Sequence, residues 1–478
     1  MWPRVALLFF VLAQAALAAN AQVVRKVSFD AEPAAYVVLQ DIVIEGNRKT
    51  RRDIVRREMS LRDGDTLLLA DLASIYERER RLLLNTRLFS EAVITASILD
   101  TLAHRLVLRA VVREKWYLYP GVDIDLADRN FNVWWKEQNR SLDRVNFGVN
   151  FRHNNITGRA DRITLRLQAG YTRKAELRYK IPYIDRAKLF GLQFGVLFNR
   201  NREYWIRTED AQLAFVDLDS IDVLRRQRYR IGLSVKPDNY LSHLLRVERQ
   251  RNDVAPEVAL DANPNFFGRG RREQNFWGLL YQVSFDRRDE RPFPMRGFLT
   301  KGSAEKLGLG VNDDINRLQV SVSHQQFISF AKRLSLALSA KVRTDLVRDR
   351  VPYFNRVSLG FDQDFVRGYQ FYVVDGLDYA YLKSTFRAKV FERDIRVPFS
   401  PIKLLQRIPV KLYLGVHADV GGTRDPFNTP GNALANDVLA SAGVGAYGVF
   451  YYGKVIRVEL TRNRLGELGT FVSYALGF

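Results

Sequence analysis

The sequence predicts a transmembrane antiparallel β-barrel of about 16 strands, preceded by one small α+β domain. Three observations predict it. The chain opens on a segment suited to export. No later stretch is apolar over the ~20 residues that a membrane helix needs. From Trp116 to Phe478, strand-length segments recur in which apolar and polar side chains alternate.

The opening segment sets the compartment. Arg4 gives it a positive start, and Val5 to Ala13 form an apolar run. That run matches a signal-peptide core and is too short to span a bilayer. Ala16-Leu17-Ala18 and Ala19-Asn20-Ala21 are both small-x-small sites. Cleavage is expected after Ala21, which makes residues 1–21 a signal peptide. An exported chain without an apolar helix is either secreted or crosses a membrane as a barrel.

Composition removes several function classes. The 478 residues include no cysteine, which excludes disulfides, thiolate metal sites and a cysteine nucleophile. Five histidines, none paired at ligand spacing, offer little to a metal. No cofactor is expected. The net charge of +21 suggests nucleic acid until its distribution is read. Residues 23–115 hold 17 basic and 14 acidic side chains, and Trp116–Phe478 carries +17 spread over many segments. A charged lumen and charged loops account for this without a nucleic-acid partner. Anionic headgroups of an outer-membrane bilayer are the better match.

The front domain spans 36–115. Val37 to Ile44 reads as a strand that stops at the Gly46-Asn47 turn. Thr50, with Asp53 three residues on, resembles a capping box at a helix start. Ile54, Val55 and Met59 share one face of that helix, and Arg51, Arg52, Arg56 and Arg57 cover the other, which reads first as a solvated surface and alternatively as a partner-binding patch. Asp63-Gly64-Asp65 forms a loop. Leu69, Leu72, Ala73 and Tyr76 then follow helical spacing, continued by Leu83. Two strands close the domain: Ala92, Ile94, Ala96 and Ile98 alternate in one, and Leu106, Leu108, Ala110 and Val112 in the other. The expected order is β-α-α-β-β. Its open edges could accept a partner strand.

The barrel, 116–478, is read from alternation. Ile163, Leu165, Leu167 and Ala169 alternate with Thr164, Arg166 and Gln168. Leu334, Leu336, Leu338, Ala340 and Val342 alternate with polar or basic neighbours, and Ile456, Val458 and Leu460 with Arg457 and Glu459. Such strands put an apolar face in lipid and a polar face in a lumen. At roughly 22 residues per strand and connection, this stretch holds about 16 strands. In the final strand Val472, Tyr474, Leu476 and Phe478 alternate with smaller residues, and the chain stops on an aromatic. That ending resembles the signal by which outer-membrane barrels are recognised for insertion.

Several segments in order resemble the BamA/TamA superfamily of outer-membrane insertases and translocators, which includes the bacterial surface antigen proteins. Ile42-Val43-Ile44-Glu45-Gly46-Asn47, then Thr50, Gly64-Asp65 and Leu88-Phe89, are similar to a POTRA domain. Asn155 to Asp161 resembles the early barrel hairpin. Asp286-Arg287-Arg288-Asp289 with Pro294 and Gly297 resembles the family's Asp-x-Arg-Asp…Pro…Gly stretch. Val366-Arg367-Gly368-Tyr369 resembles the tip of the long loop that folds back into the barrel.

In that family an acidic residue on a later strand holds the loop arginine. The resemblance gives that role to Asp419, in Ala418-Asp419-Val420-Gly421. Alternation agrees on its direction: Leu412, Leu414, Val416 and Ala418 form the apolar set, so Lys411, Tyr413, His417 and Asp419 face the lumen. The sequence departs from the family twice. His417 stands where an aromatic is usual. On the strand Ser384 to Phe391, Arg387 and Lys389 stand near the place of a lumen-facing glutamate, so no second acidic anchor is expected there.

The resemblance implies a protein in the bacterial outer membrane, its front domain in the periplasm, that assembles or translocates other proteins. Its partners would be the bilayer, unfolded outer-membrane or secreted clients, and accessory periplasmic proteins or lipoproteins. The alternatives are a secretion pore dedicated to one partner, a passive porin, or a lipid-modifying barrel enzyme. Dedicated pores usually carry two POTRA domains and a plug helix, and this chain has room for one. A porin needs no front domain. No enzyme is expected: the chain has neither a phosphate-binding Gly-x-x-x-x-Gly-Lys-Ser/Thr nor a Gly-x-Ser-x-Gly elbow, and its histidines are scattered.

Overall fold

A computed structural model describes residues 36–100, 102–185, 187–218, 221–348, 351–396, 407–427, 432–450 and 454–475. The expected signal peptide lies outside these residues, as do Leu476 and Phe478 of the expected C-terminal signal.

The front domain forms β1 (Tyr36–Glu45), α1 (Arg52–Glu58), the short β2 (Thr66–Leu68), α2 (Leu72–Asn85), β3 (Phe89–Asp100) and β4 (Arg105–Glu114). Its sheet runs β2-β1-β4-β3. The β-α-α-β-β expectation therefore lacks one strand, since three residues after the Asp63-Gly64-Asp65 loop pair with Tyr36–Val38. Three residues are too few for alternation to reveal. The helix begins at Leu72 rather than Leu69, because Leu69–Asp71 forms a 3-10 turn.

The capping box is also corrected. Arg51 occupies the N-cap of α1 without a side-chain bond. The Thr50 hydroxyl instead meets the Tyr117 hydroxyl at 2.8 Å and accepts from Asn155 Nδ2 at 2.9 Å. Ala92 and Ile94 are buried, whereas Ile98, later on the same alternating strand, is exposed.

Two compact units divide the chain. One holds residues 36–43, 61–77 and 94–109; the other holds 44–60, 78–93 and everything from Ala110 on.

In the second unit, sixteen strands form one antiparallel sheet. The first five are β5 (Leu118–Leu126), β6 (Val145–Asn154), β7 (Arg162–Gly170), β8 (Thr172–Ile181) and β9 (Phe190–Asn201). A separate hairpin, β10 (Glu203–Glu209) and β11 (Gln212–Asp217), interrupts the series. It resumes with β12 (Leu224–Val235), β13 (Leu241–Val254), β14 (Glu273–Asp286), β15 (Gly297–Leu307), β16 (Arg317–Ser329) and β17 (Leu334–Asp345). The last five are β18 (Asp378–Arg396), β19 (Arg407–Arg424), β20 (Val438–Phe450), β21 (Lys454–Asn463) and β22 (Leu468–Ala475).

The alternation has its physical counterpart on β19. Leu412, Leu414 and Val416 are exposed on the outside, while Tyr413, His417 and Asp419 are buried inside. No helix among the described residues is long and apolar enough to cross a membrane. The barrel satisfies its backbone through the ladder instead.

The ladder has two ends, β5 and β22, and no ladder joins them among the described residues. Val122 and Ile124 on β5 are 77% and 70% exposed, against 53% for Leu414 in mid-sheet. At one rim, the β10–β11 hairpin and the connections after β13 and β17 share an aromatic core. Tyr204 and Trp205 pack there against Phe266, Tyr353 and Phe354.

Candidate functional site: the loop anchor in the barrel lumen

The connection between β17 and β18 folds back on itself, closed by an antiparallel bridge between Leu359 and Val374. Val366 and Tyr369 are buried with Leu359, Val374, Tyr379 and Tyr381. Between them Arg367 reaches the wall.

Its guanidinium forms a fork on Asp419 of β19: Nε donates to Oδ2 at 2.8 Å and Nη2 donates to Oδ1. The Arg367 main-chain N–H adds a bond to Oδ2 at 3.2 Å. The remaining donors are spent on the same wall. Nη1 donates to Thr385 Oγ1 at 3.0 Å and to Glu459 Oε1 at 3.3 Å, and Nη2 to the Ser384 carbonyl at 2.9 Å. Asp419 and Glu459 are both buried. A planar cation with five donors suits this set; an ammonium could not make the fork.

Glycine geometry lets the loop come this close. Gly368 has φ +82°, and a Cβ there would lie 3.1 Å from Thr461 Cγ2 and 3.3 Å from Asn463 Cβ. Its carbonyl accepts from Asn463 Nδ2 at 3.0 Å. On the wall, a Cβ on Gly421 would lie 2.8 Å from Val366 Cγ2 and 2.9 Å from the Ala380 carbonyl. The Tyr369 hydroxyl donates to the Ala440 carbonyl at 3.3 Å. Val366, Arg367, Gly368, Tyr369, Asp419 and Gly421 therefore meet in one place.

The second carboxylate comes from a strand the sequence did not point to. The Ser384–Phe391 strand supplies only the Thr385 hydroxyl and the Ser384 carbonyl, and Glu459 on β21 supplies the charge. Its lumen direction was readable from the alternation with Val458 and Leu460, but its meeting with Arg367 depends on the loop folding back across β19 to β21. Asp364 was missed as well. It accepts from Lys341 Nζ at 2.6 Å, Tyr379 OH at 2.6 Å and Tyr381 OH at 3.0 Å, pinning the loop three residues before Arg367.

The Asp-x-Arg-Asp…Pro…Gly stretch forms the turn between β14 and β15. Arg288 makes a fork on Asp286, with bonds of 2.8 and 2.9 Å, and Asp289 Oδ1 accepts from the Met295 N–H at 3.1 Å. Gly297 opens β15. The turn carries Phe293 inward against Tyr413. Arg387 holds it there: Nη2 donates to the Pro294 carbonyl at 2.7 Å, and the guanidinium lies 4.5 Å from the Phe293 ring centre. The basic residue that departs from the family pattern has a task of its own. His417 Nε2 meets Thr461 Oγ1 at 2.9 Å, beside the Arg367 site. Tyr474 is exposed on β22.

A second polar cluster joins α1 to barrel turns within the second unit. Arg57, expected on a solvated face, is buried. It donates to the Lys236 carbonyl at 2.7 Å and to Asn239 Oδ1 at 3.1 Å. Glu58 accepts from the Tyr183 hydroxyl and from Lys236 Nζ at 3.1 Å. Burial pushes the Glu58 carboxyl upward, but Lys236 and the Tyr183 hydroxyl outweigh it, so the group titrates below its ordinary value.

Residues 155–378 match the model of the Omp85 superfamily domain, and residues 37–115 match the POTRA model described as surface antigen variable number repeat. Among solved structures, BamA from Haemophilus ducreyi lacking POTRA domains 1–3 aligns over 92% of this chain and 85% of its own. The identity is 14% and the TM-score 0.52. CdiB from Escherichia coli aligns over 92% of this chain and 75% of its own, at 15% identity and TM-score 0.54. At these identities the likeness shows the fold. No curated protein matches the sequence.

Proposed function

Because the chain is a POTRA-plus-barrel protein of the Omp85 superfamily, we propose that it helps insert client proteins into the outer membrane or pass them across it. The front domain stands in the periplasm and holds an extended client by strand addition. The barrel provides a seam between β5 and β22 at which client strands pair instead of facing lipid unpaired. The Arg367 anchor keeps the folded-back loop on the wall while the seam works. The protein makes and breaks no covalent bond.

The observation that supports this most is the end of the ladder. β5 and β22 lack a shared ladder among the described residues, and Val122 and Ile124 stand more exposed than Leu414 in mid-sheet. A sealed porin wall would pair its first strand with its last.

Depletion of the protein, followed by measurement of the outer-membrane and secreted proteomes, tests the proposal. Broad loss of barrel proteins identifies a general insertase. Loss of one secreted protein identifies a dedicated pore. Unchanged proteomes with altered solute uptake would overturn both.

A further inference from the structure

The edge of β22 turned away from β21, which has no strand partner among the described residues, carries an occupied backbone pair. Val472 lies opposite Val458 of β21. Its N–H donates to Asn132 Oδ1 at 3.0 Å, and its carbonyl accepts from Asn132 Nδ2 at 3.4 Å. A residue in an antiparallel strand sends both backbone groups to the same side. Both groups of Val472 therefore point away from β21. One side-chain amide makes the donor and acceptor bonds that a residue of a neighbouring strand would make. Asn132 is itself buried. It sits on α3 (Phe131–Lys136), in the connection that follows β5.

The β17–β18 loop holds α3 in place. Arg129 donates to the carbonyls of Gly360 at 3.0 Å, Tyr372 at 2.6 Å and Phe371. Asn130 caps α3 through the Val133 N–H at 2.9 Å and donates to the Gln370 carbonyl at 3.0 Å. The Lys136 ammonium lies 4.8 Å from the Phe371 ring centre, and Phe371 packs on Phe471 of β22 at 5.4 Å. The loop anchored by Arg367 thus also holds the helix against the edge.

We propose that the β22 edge at Val472 is a docking point for an extended client strand, and that α3 is a built-in occupant which must leave before that strand pairs. Thr470 and Tyr474, two residues either side, direct their backbone groups to the same edge by the period of the strand. An arriving strand therefore gains a run of bonds where Asn132 makes bonds to one residue. The identity of the replacing strand rests on the proposed seam; the occupancy by Asn132 does not.

Amide hydrogen exchange on the full chain in detergent micelles tests the occupancy. Asn132→Ala is expected to speed exchange at Val472 by tenfold or more and to leave Phe471 and Ser473, which face β21, unchanged. Arg129→Lys, which loses the fork on the loop, is expected to speed Val472 as well, and it serves if Asn132→Ala does not fold. Unchanged exchange at Val472 in the folded variants overturns the proposal.

A photo-crosslinking peptide copying Leu468–Ala475 tests the docking. Capture at the β22 edge is expected to rise several-fold in Asn132→Ala over wild type. Faster exchange with no gain in capture overturns the docking point. Failure of the broader function would show in the depletion proteomes and leave the exchange result standing.

Discussion

Arg367 holds Asp419 by three hydrogen bonds, two from its guanidinium and one from its own main-chain N–H, so side chain and backbone of the loop tip are fixed by one carboxylate. Removing one partner of such a buried pair strands the other, at about 3–5 kcal/mol. Arg367→Ala is expected to impair client assembly while the barrel still shows heat-modifiable migration. Arg367→Lys should rescue little, since an ammonium cannot fork. Limited proteolysis of the β17–β18 loop would report the release; wild-type protection in Arg367→Ala would show that Arg367 does not anchor the loop.

The two carboxylates should not weigh equally. Glu459 receives one bond from Arg367 at 3.3 Å and another from the Tyr447 hydroxyl at 3.2 Å. Asp419→Asn should therefore loosen the loop more than Glu459→Gln. Exchange at the Arg367 amide measures this, because that N–H bonds to Asp419. Equal effects would mean that the anchor is shared rather than centred on Asp419.

Gly421 tests how closely the loop fits. A Cβ at this position meets Val366 and the Ala380 carbonyl below 3 Å. Gly421→Ala is expected to cost about 1–3 kcal/mol by overpacking, read as a lowered temperature of heat modification. Val366→Ala in the same chain removes one of the two neighbours and should recover part of the loss. No recovery would locate the strain on β18, at the Ala380 carbonyl and Tyr381 Cβ.

The α1 cluster should respond to acid. The Glu58 carboxyl titrates below its ordinary value in the folded protein. Its stabilising effect is then fully present above the ordinary carboxylate value and is lost as pH falls through the lower folded value. Exchange across residues 52–59 should accelerate in that acid window. Glu58→Gln should flatten the dependence, and an identical acid response in that variant would assign the effect to other groups.

The barrel was legible because period-2 alternation survives in almost every strand, and the same alternation turned Asp419 toward the lumen. What was not legible depends on contacts across the fold. Thr50 resembles a cap in sequence, yet its hydroxyl is taken by Tyr117 and Asn155, far along the chain. Arg57 has the spacing of a solvated face until barrel turns cover it. Glu459 is polar on the expected side, but only the fold-back of the β17–β18 loop brings Arg367 to it. α3 is six residues long, too short for periodicity, although Asn130 is an N-cap residue that could have marked it.

The most direct measurement is quantitative outer-membrane and secreted proteomics in cells depleted of this protein and complemented with wild type or Arg367→Ala. Depletion is expected to lower client proteins, wild type to restore them, and Arg367→Ala to leave them low although its barrel reaches wild-type abundance. Unchanged proteomes on depletion, or full restoration by Arg367→Ala, would contradict the proposed function.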